Sequence, residues 1–110
     1  MSLKNKHCVP CQVGADPLSS ELIQAYLKDL NDWKIVDQKK LEKTFRLKDF
    51  KSGLDLVNQI GRLAEEEGHH PDLFLSWGKV VVQLMTHKID GLHDNDFILA
   101  AKIDDLEITS

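Results

Sequence analysis

The sequence predicts an α+β domain, a four-stranded antiparallel sheet with three helices packed on one face, in the order helix, strand, strand, helix, strand, strand, helix. Three observations lead there. Apolar and polar residues alternate from Lys40 to Leu47, the period of a strand. From Phe50 to Ala64 apolar residues recur every three or four positions, the period of a helix. Paired strand-like runs separated by helical stretches favour an antiparallel sheet with helices to one side.

The elements follow in order. Residues 1–17 contain Pro10, Gly14 and Pro17 without sustained periodicity and read as an N-terminal arm ahead of a single domain spanning 18–110. Ser19 or Ser20 can cap a first helix, with Glu21 in its first turn and Leu22, Ile23, Tyr26, Leu27 and Leu30 on one face. Asn31-Asp32 is expected to end it. Trp33 to Val36 reads as a short strand with Trp33 in the core, and Asp37-Gln38-Lys39 as the turn into the next one. Along that second strand Leu41, Lys43, Phe45 and Leu47 share a face; Lys43 interrupts it, so one end of the strand is expected to be exposed. Phe50, Leu54, Val57, Ile60, Leu63 and Ala64 mark the long helix, which Gly68 stops. Glu65-Glu66-Glu67 reads as a solvated last turn, although acids sit poorly beside a helix C-terminus. Leu73 to Trp77 and Val80 to His87 read as two strands joined by Gly78-Lys79. Asp94 can cap a final helix that turns Phe97, Ala100, Ala101 and Ile103 inward.

Composition narrows the function. The 110 residues, 42% hydrophobic and 29% charged, suit one globular domain. A net charge of −4 without a basic stripe argues against nucleic-acid binding. No apolar run is long enough to span a bilayer, and residues 1–10 lack the apolar segment of a signal peptide, so a cytoplasmic protein is expected. In that reducing setting Cys8 and Cys11 are not expected to form a structural disulfide. A lone CxxC ahead of any element reads as an inert pair, neither half of a zinc knuckle nor a thioredoxin-type motif.

Three of the five histidines gather near one predicted end of the sheet: His69 and His70 after the long helix, His87 at the end of the last strand. Glu65 precedes His69 by four residues, one helical turn if the helix persists. Pro71 biases His70 towards extended backbone. Imidazoles beside carboxylates can give and take protons near neutral pH, and no activated nucleophile accompanies them. Histidine is also a common zinc ligand, but adjacent histidines on extended backbone point to opposite sides, so no metal is expected. His7 and His93 read as surface residues.

The run from Glu65 to Asp96, EEEGHHPDLFLSWGKVVVQLMTHKIDGLHDND, closely resembles the signature of the pterin-4a-carbinolamine dehydratase family, with Glu65, His69, His70, Pro71, Trp77, His87 and Asp96 filling its positions. The resemblance implies a hydro-lyase that dehydrates 4a-hydroxytetrahydropterin to quinonoid dihydropterin by acid–base catalysis and recycles tetrahydropterin beside an aromatic amino acid hydroxylase. It implies His69, His70 and His87 as catalytic residues, His69 and His87 for proton transfer and His70 for holding the pterin. Glu65 and Asp96 would support them. Pro71 and Trp77 would join His70 in binding substrate, with Trp77 either walling the pocket by stacking or packing in the core. No cofactor is implied, and the chain is expected to form a homodimer or homotetramer. The alternative is a non-catalytic pterin- or protein-binding module, since some family members serve as dimerisation cofactors of a transcription factor and other relatives assist molybdopterin metabolism.

Overall fold

The long helix, α2 (Phe50–Glu67), lies across the sheet because Gly53 lets it approach closely: a Cβ there would meet Leu75 Cδ1 at 2.8 Å. Asp49 starts the helix by accepting the Ser52 amide hydrogen at 2.8 Å. Gly68 ends it in left-handed backbone (φ 66°), a conformation that glycine adopts without a Cβ clash. In this computed structural model residues 3–8 and 17–106 are described; Val9, Pro10 and Cys11, and with them the CxxC reading, fall outside them.

The remaining elements are α1 (Ser20–Leu27), β1 (Lys34–Val36), β2 (Lys40–Arg46), β3 (Asp72–Ser76), β4 (Lys79–Leu84) and α3 (Asp94–Asp104), with short 3-10 turns at Leu3–Asn5 and His87–Ile89. The sheet runs β1-β2-β4-β3, all antiparallel. This is the predicted element order and sheet. Asp37 and Gln38 both take the left-handed backbone that a tight hairpin turn requires. Leu41 opposite Leu84, and Phe45 and Leu75 flanking Val80, form the inward rows of the sheet.

Four details differ from expectation, the first being that β4 ends at Leu84 and leaves His87 in the 3-10 turn beyond it. Helix α1 stops at Leu27, and the chain closes into tighter turns, with Asp29 N–H bonded to Tyr26 O and Leu30 N–H to Leu27 O. Lys43 does not expose an end of β2. It occupies the inward row opposite Val82, and its ammonium group reaches Asp104 on α3 at 2.7 Å while lying 4.8 Å over the Phe45 ring. Asp104 also accepts the Trp33 indole N–H at 2.9 Å, so the buried pair is satisfied on both sides. The cap of α3 is His93, whose Nδ1 accepts the Asn95 amide hydrogen at 3.1 Å; Asp94 is the first helical residue.

Helix α3 is buried over most of its surface, beyond the four positions that periodicity marks. Ile98 and Leu99 are enclosed as well. It packs on α2 and on the Leu3–Asn5 turn, and Phe97 meets the Tyr26 ring of α1 at 5.2 Å. The start of this central helix is where the histidines converge.

Candidate active site

Gly68 reverses the chain at the end of α2, and His69 follows at once, its amide bonded to Ala64 O at 3.2 Å. The reversal ends helical spacing before His69. The i,i+4 relation between Glu65 and His69 is therefore not realised: Glu65 Oε2 meets His70 Nε2 instead, at 2.5 Å. His69 points the other way, and its Nε2 contacts Asp96 Oδ1 at 2.6 Å. Asp96 belongs to the first turn of α3, and its second oxygen accepts the Thr86 hydroxyl at 2.8 Å and the His93 amide at 3.0 Å. One carboxylate thus starts a helix and holds an imidazole.

The two histidine–carboxylate pairs differ in setting. His69 and Asp96 side chains are 12% and 0% exposed; His70 and Glu65 are 61% and 77% exposed. His87 lies on the turn after β4, exposed, with no side-chain hydrogen bond among the described residues. His69, His70 and His87 line one cavity of about 460 Å³, together with Thr86, Glu67 and Cys8. That volume suits a small bicyclic ligand. With a carboxylate occupying Nε2 of His69, that nitrogen carries the proton, and Nδ1 is left as the basic position.

Trp77 stands apart. It sits in the β3–β4 turn, 72% exposed, at the opposite end of the hairpin from His70 and His87. Five residues of β3 separate it from the histidines, about 17 Å of strand. It neither walls this cavity nor packs in the core. Pro71 is also absent from the lining; its place is the backbone between His70 and β3.

Glu67 and Cys8 join the cavity without having been singled out for it. Glu67 is 6% exposed rather than solvated. It accepts the Cys8 amide hydrogen at 2.8 Å, contacts His7 Nδ1 at 3.1 Å and faces Lys102 Nζ at 3.6 Å. Burial pushes its carboxyl upward, but the Cys8 amide, His7 and Lys102 outweigh burial and hold it below the ordinary range. The Cys8 thiol is pushed up to about 12, by burial first and then by the nearby Glu67 and Asp96 charges. It is therefore neutral at physiological pH and a poor nucleophile. The sequence did carry a signal for Glu67: an acid at a helix C-terminus opposes the helix dipole and calls for a partner elsewhere.

Among the described residues no helix is long and apolar enough to cross a membrane. Residues 16–106 match the profile of the family described as pterin 4 alpha carbinolamine dehydratase. The chain is 52% identical over 104 residues to a protein of Alkaliphilus metalliredigens and 50% identical over 107 residues to one of Chlorobaculum tepidum, both carrying the pterin-4-alpha-carbinolamine dehydratase name. The first alignment covers 94% of each chain; the second covers 94% of this one and 96% of the relative. Among solved structures, a transcriptional coactivator/pterin dehydratase from Brucella melitensis superposes with a TM-score of 0.77 at 28% identity, over 82% of this chain and 97% of the other. A pterin dehydratase-like RuBisCO assembly factor of the alpha-carboxysome shares the fold at a TM-score of 0.59 and 21% identity, over 73% of this chain and 94% of that one. A pocket of three imidazoles, one of them set by a buried aspartate, thus stands in a chain that belongs to the pterin 4 alpha carbinolamine dehydratase family of hydro-lyases.

Proposed function

We propose that the cavity binds 4a-hydroxytetrahydropterin and that its imidazoles remove water from it. The observation that carries the reading is the His69–Asp96 contact, in which a buried carboxylate fixes the tautomer of an imidazole lining a cavity shared with two more. The C4a–O bond breaks as an imidazolium donates a proton to the leaving hydroxide, and a neutral imidazole accepts the proton on N5. The products are quinonoid dihydropterin and water, and no electrons are exchanged. Hydroxide is a poor leaving group, so protonating it lowers the barrier; positioned acid–base groups contribute about 10²–10⁴-fold.

His69 and His87 are the proton-transfer residues in this reading. Nδ1 of His69 takes the N5 proton, and Asp96 stabilises the imidazolium that forms. His87, without a competing partner, donates to the hydroxyl. His70 holds the pterin, with Glu65 steadying its ring and Pro71 its backbone. The enzyme works in the cytoplasm and recycles the carbinolamine released by an aromatic amino acid hydroxylase.

We further infer a homodimer or homotetramer. Phe74 and Trp77 on the edge strand β3 and its turn, with Phe50 and Leu54 on α2, leave apolar side chains on two faces. The same surfaces support a second reading, a protein-binding module, in line with the transcriptional coactivator/pterin dehydratase of Brucella.

The test is the dehydration rate of chemically generated 4a-hydroxytetrahydropterin in metal-free buffer, with His69→Ala, His70→Ala and His87→Ala beside the wild type. Acceleration by the wild type that falls about 100-fold in the folded His69 and His87 variants, and less in the His70 variant, supports the reading. A folded wild type that fails to accelerate the reaction sinks it in favour of the binding module.

A further inference from the structure

We propose that Glu67 is a positioning residue of this site: it fastens the N-terminal segment Leu3–Cys8 as a wall of the imidazole cavity, and that wall helps to grip the pterin. The inference rests on the pterin reading above and adds to it a part of the chain outside the histidine signature.

Glu67 ends α2 two residues before His69, so whatever it holds is held beside the histidines. Both of its oxygens are committed to the segment and its surroundings. Oε1 accepts the Cys8 amide hydrogen at 2.8 Å, while Oε2 takes His7 Nδ1 at 3.1 Å and lies 3.6 Å from Lys102 Nζ. With both oxygens so engaged, the carboxylate acts mainly by holding the segment in place.

The segment is also held at its other end. Leu3 is buried with the core residues of α3, and Lys4 pairs with Asp105 at 3.2 Å. Between these anchors Cys8 reaches the cavity, its Sγ donating weakly to the Asn95 carbonyl at 3.6 Å. The segment therefore bridges the end of α2, just ahead of His69, and the start of α3, which carries Asp96. Removing Glu67 leaves Leu3, the weak Cys8 thiol contact with Asn95 and one exposed ion pair to hold six residues, and exposed pairs add little. The wall would then be absent for much of the time, while the imidazoles and Asp96 stayed in place.

That separation sets the test. Loss of a wall weakens binding of substrate and transition state alike, which raises KM and spares kcat. Glu67→Gln keeps an acceptor for the Cys8 amide but loses the charge facing His7 and Lys102, and should raise KM about 3-fold; Glu67→Ala should raise it about 20-fold, with kcat within about 2-fold in both. A second measurement needs no turnover. In a Cys11→Ser background, Cys8 is labelled with N-ethylmaleimide with and without saturating 7,8-dihydrobiopterin, whose binding is followed separately by pterin fluorescence. Bound dihydropterin should slow labelling at least about 5-fold, because the thiol forms part of the covered wall.

An unchanged KM in a folded Glu67 variant overturns the proposal. So does unprotected labelling in dihydropterin-saturated protein; in either case the dehydratase reading stands. If Glu67→Ala does not fold, Glu67→Gln and the labelling of the background protein still decide. A background protein that neither binds dihydropterin nor dehydrates the carbinolamine removes the dehydratase reading, and the wall with it.

Discussion

His69–Asp96 and His70–Glu65 are chemically the same pair, formed by adjacent histidines, yet one is sealed between two helices and the other stands in water. The difference comes from the backbone. Gly68 turns His69 towards α3, and the extended chain at Pro71 leaves His70 facing back along α2. Exposed ion pairs compete with solvent and are screened by salt, so Glu65 steadies His70 only weakly. Asp96 has no solvent to compete with and accepts three hydrogen bonds, so it orients His69 firmly. Burial, rather than proximity, separates an orienting carboxylate from a neighbouring one.

The widest gap between the pairs should appear on removing each charge. Asp96→Asn is expected to lower kcat/KM for carbinolamine dehydration about 100-fold, because the amide can present either end to the ring and stabilises no imidazolium. The same variant should lose about 2 kcal/mol in denaturant unfolding, since a buried acceptor of three hydrogen bonds is replaced by a weaker one. Glu65→Gln should change kcat/KM less than about 5-fold and stability by less than about 0.5 kcal/mol. Equal losses in the two variants would break the comparison.

A smaller effect extends the comparison to the third carboxylate, Glu67, which is buried like Asp96 but holds a segment rather than a ring. Its carboxyl lies below its ordinary value of 4.5, so the docked segment gains stability that is fully present above pH 4.5 and is lost as pH falls through the depressed value. Labelling of Cys8 by an acid-tolerant disulfide reagent should therefore quicken below pH 4.5 in the Cys11→Ser background. In Glu67→Gln that acid-triggered quickening should be absent. A flat profile in both would show that the carboxylate does not govern docking.

Much of this was legible in the sequence because it is local. Periodicity marks the sheet and helices, and Ser19 and Gly68, read as a start and a stop, do cap α1 and α2. What was not legible depends on residues far apart in the chain. Lys43 looked like a defect in a strand face because Asp104, 61 residues away, is invisible to periodicity. Glu67 looked solvated because its amide partner, Cys8, lies 59 residues earlier. His93 looked like a surface histidine because an imidazole is an unusual helix cap, and the reciprocal bond from its amide to Asp96 becomes apparent only once α3 is in place. The histidines were found by type and spacing, but their carboxylates had to be sorted by burial. Trp77 matched the family spacing and still landed at the far end of the hairpin.

Asp96 serves two masters. It supplies the reciprocal bond that begins α3, the most enclosed helix of the domain, as well as the partner of His69. A duplicated copy released from dehydration would still be selected to fold, and would keep the aspartate for that reason alone. His87 enjoys no such protection: exposed and bonded to nothing among the described side chains, it can drift at almost no cost to the architecture. On the proposed mechanism, loss of His87 would therefore silence dehydration and leave the fold standing, whereas loss of Asp96 would disturb both.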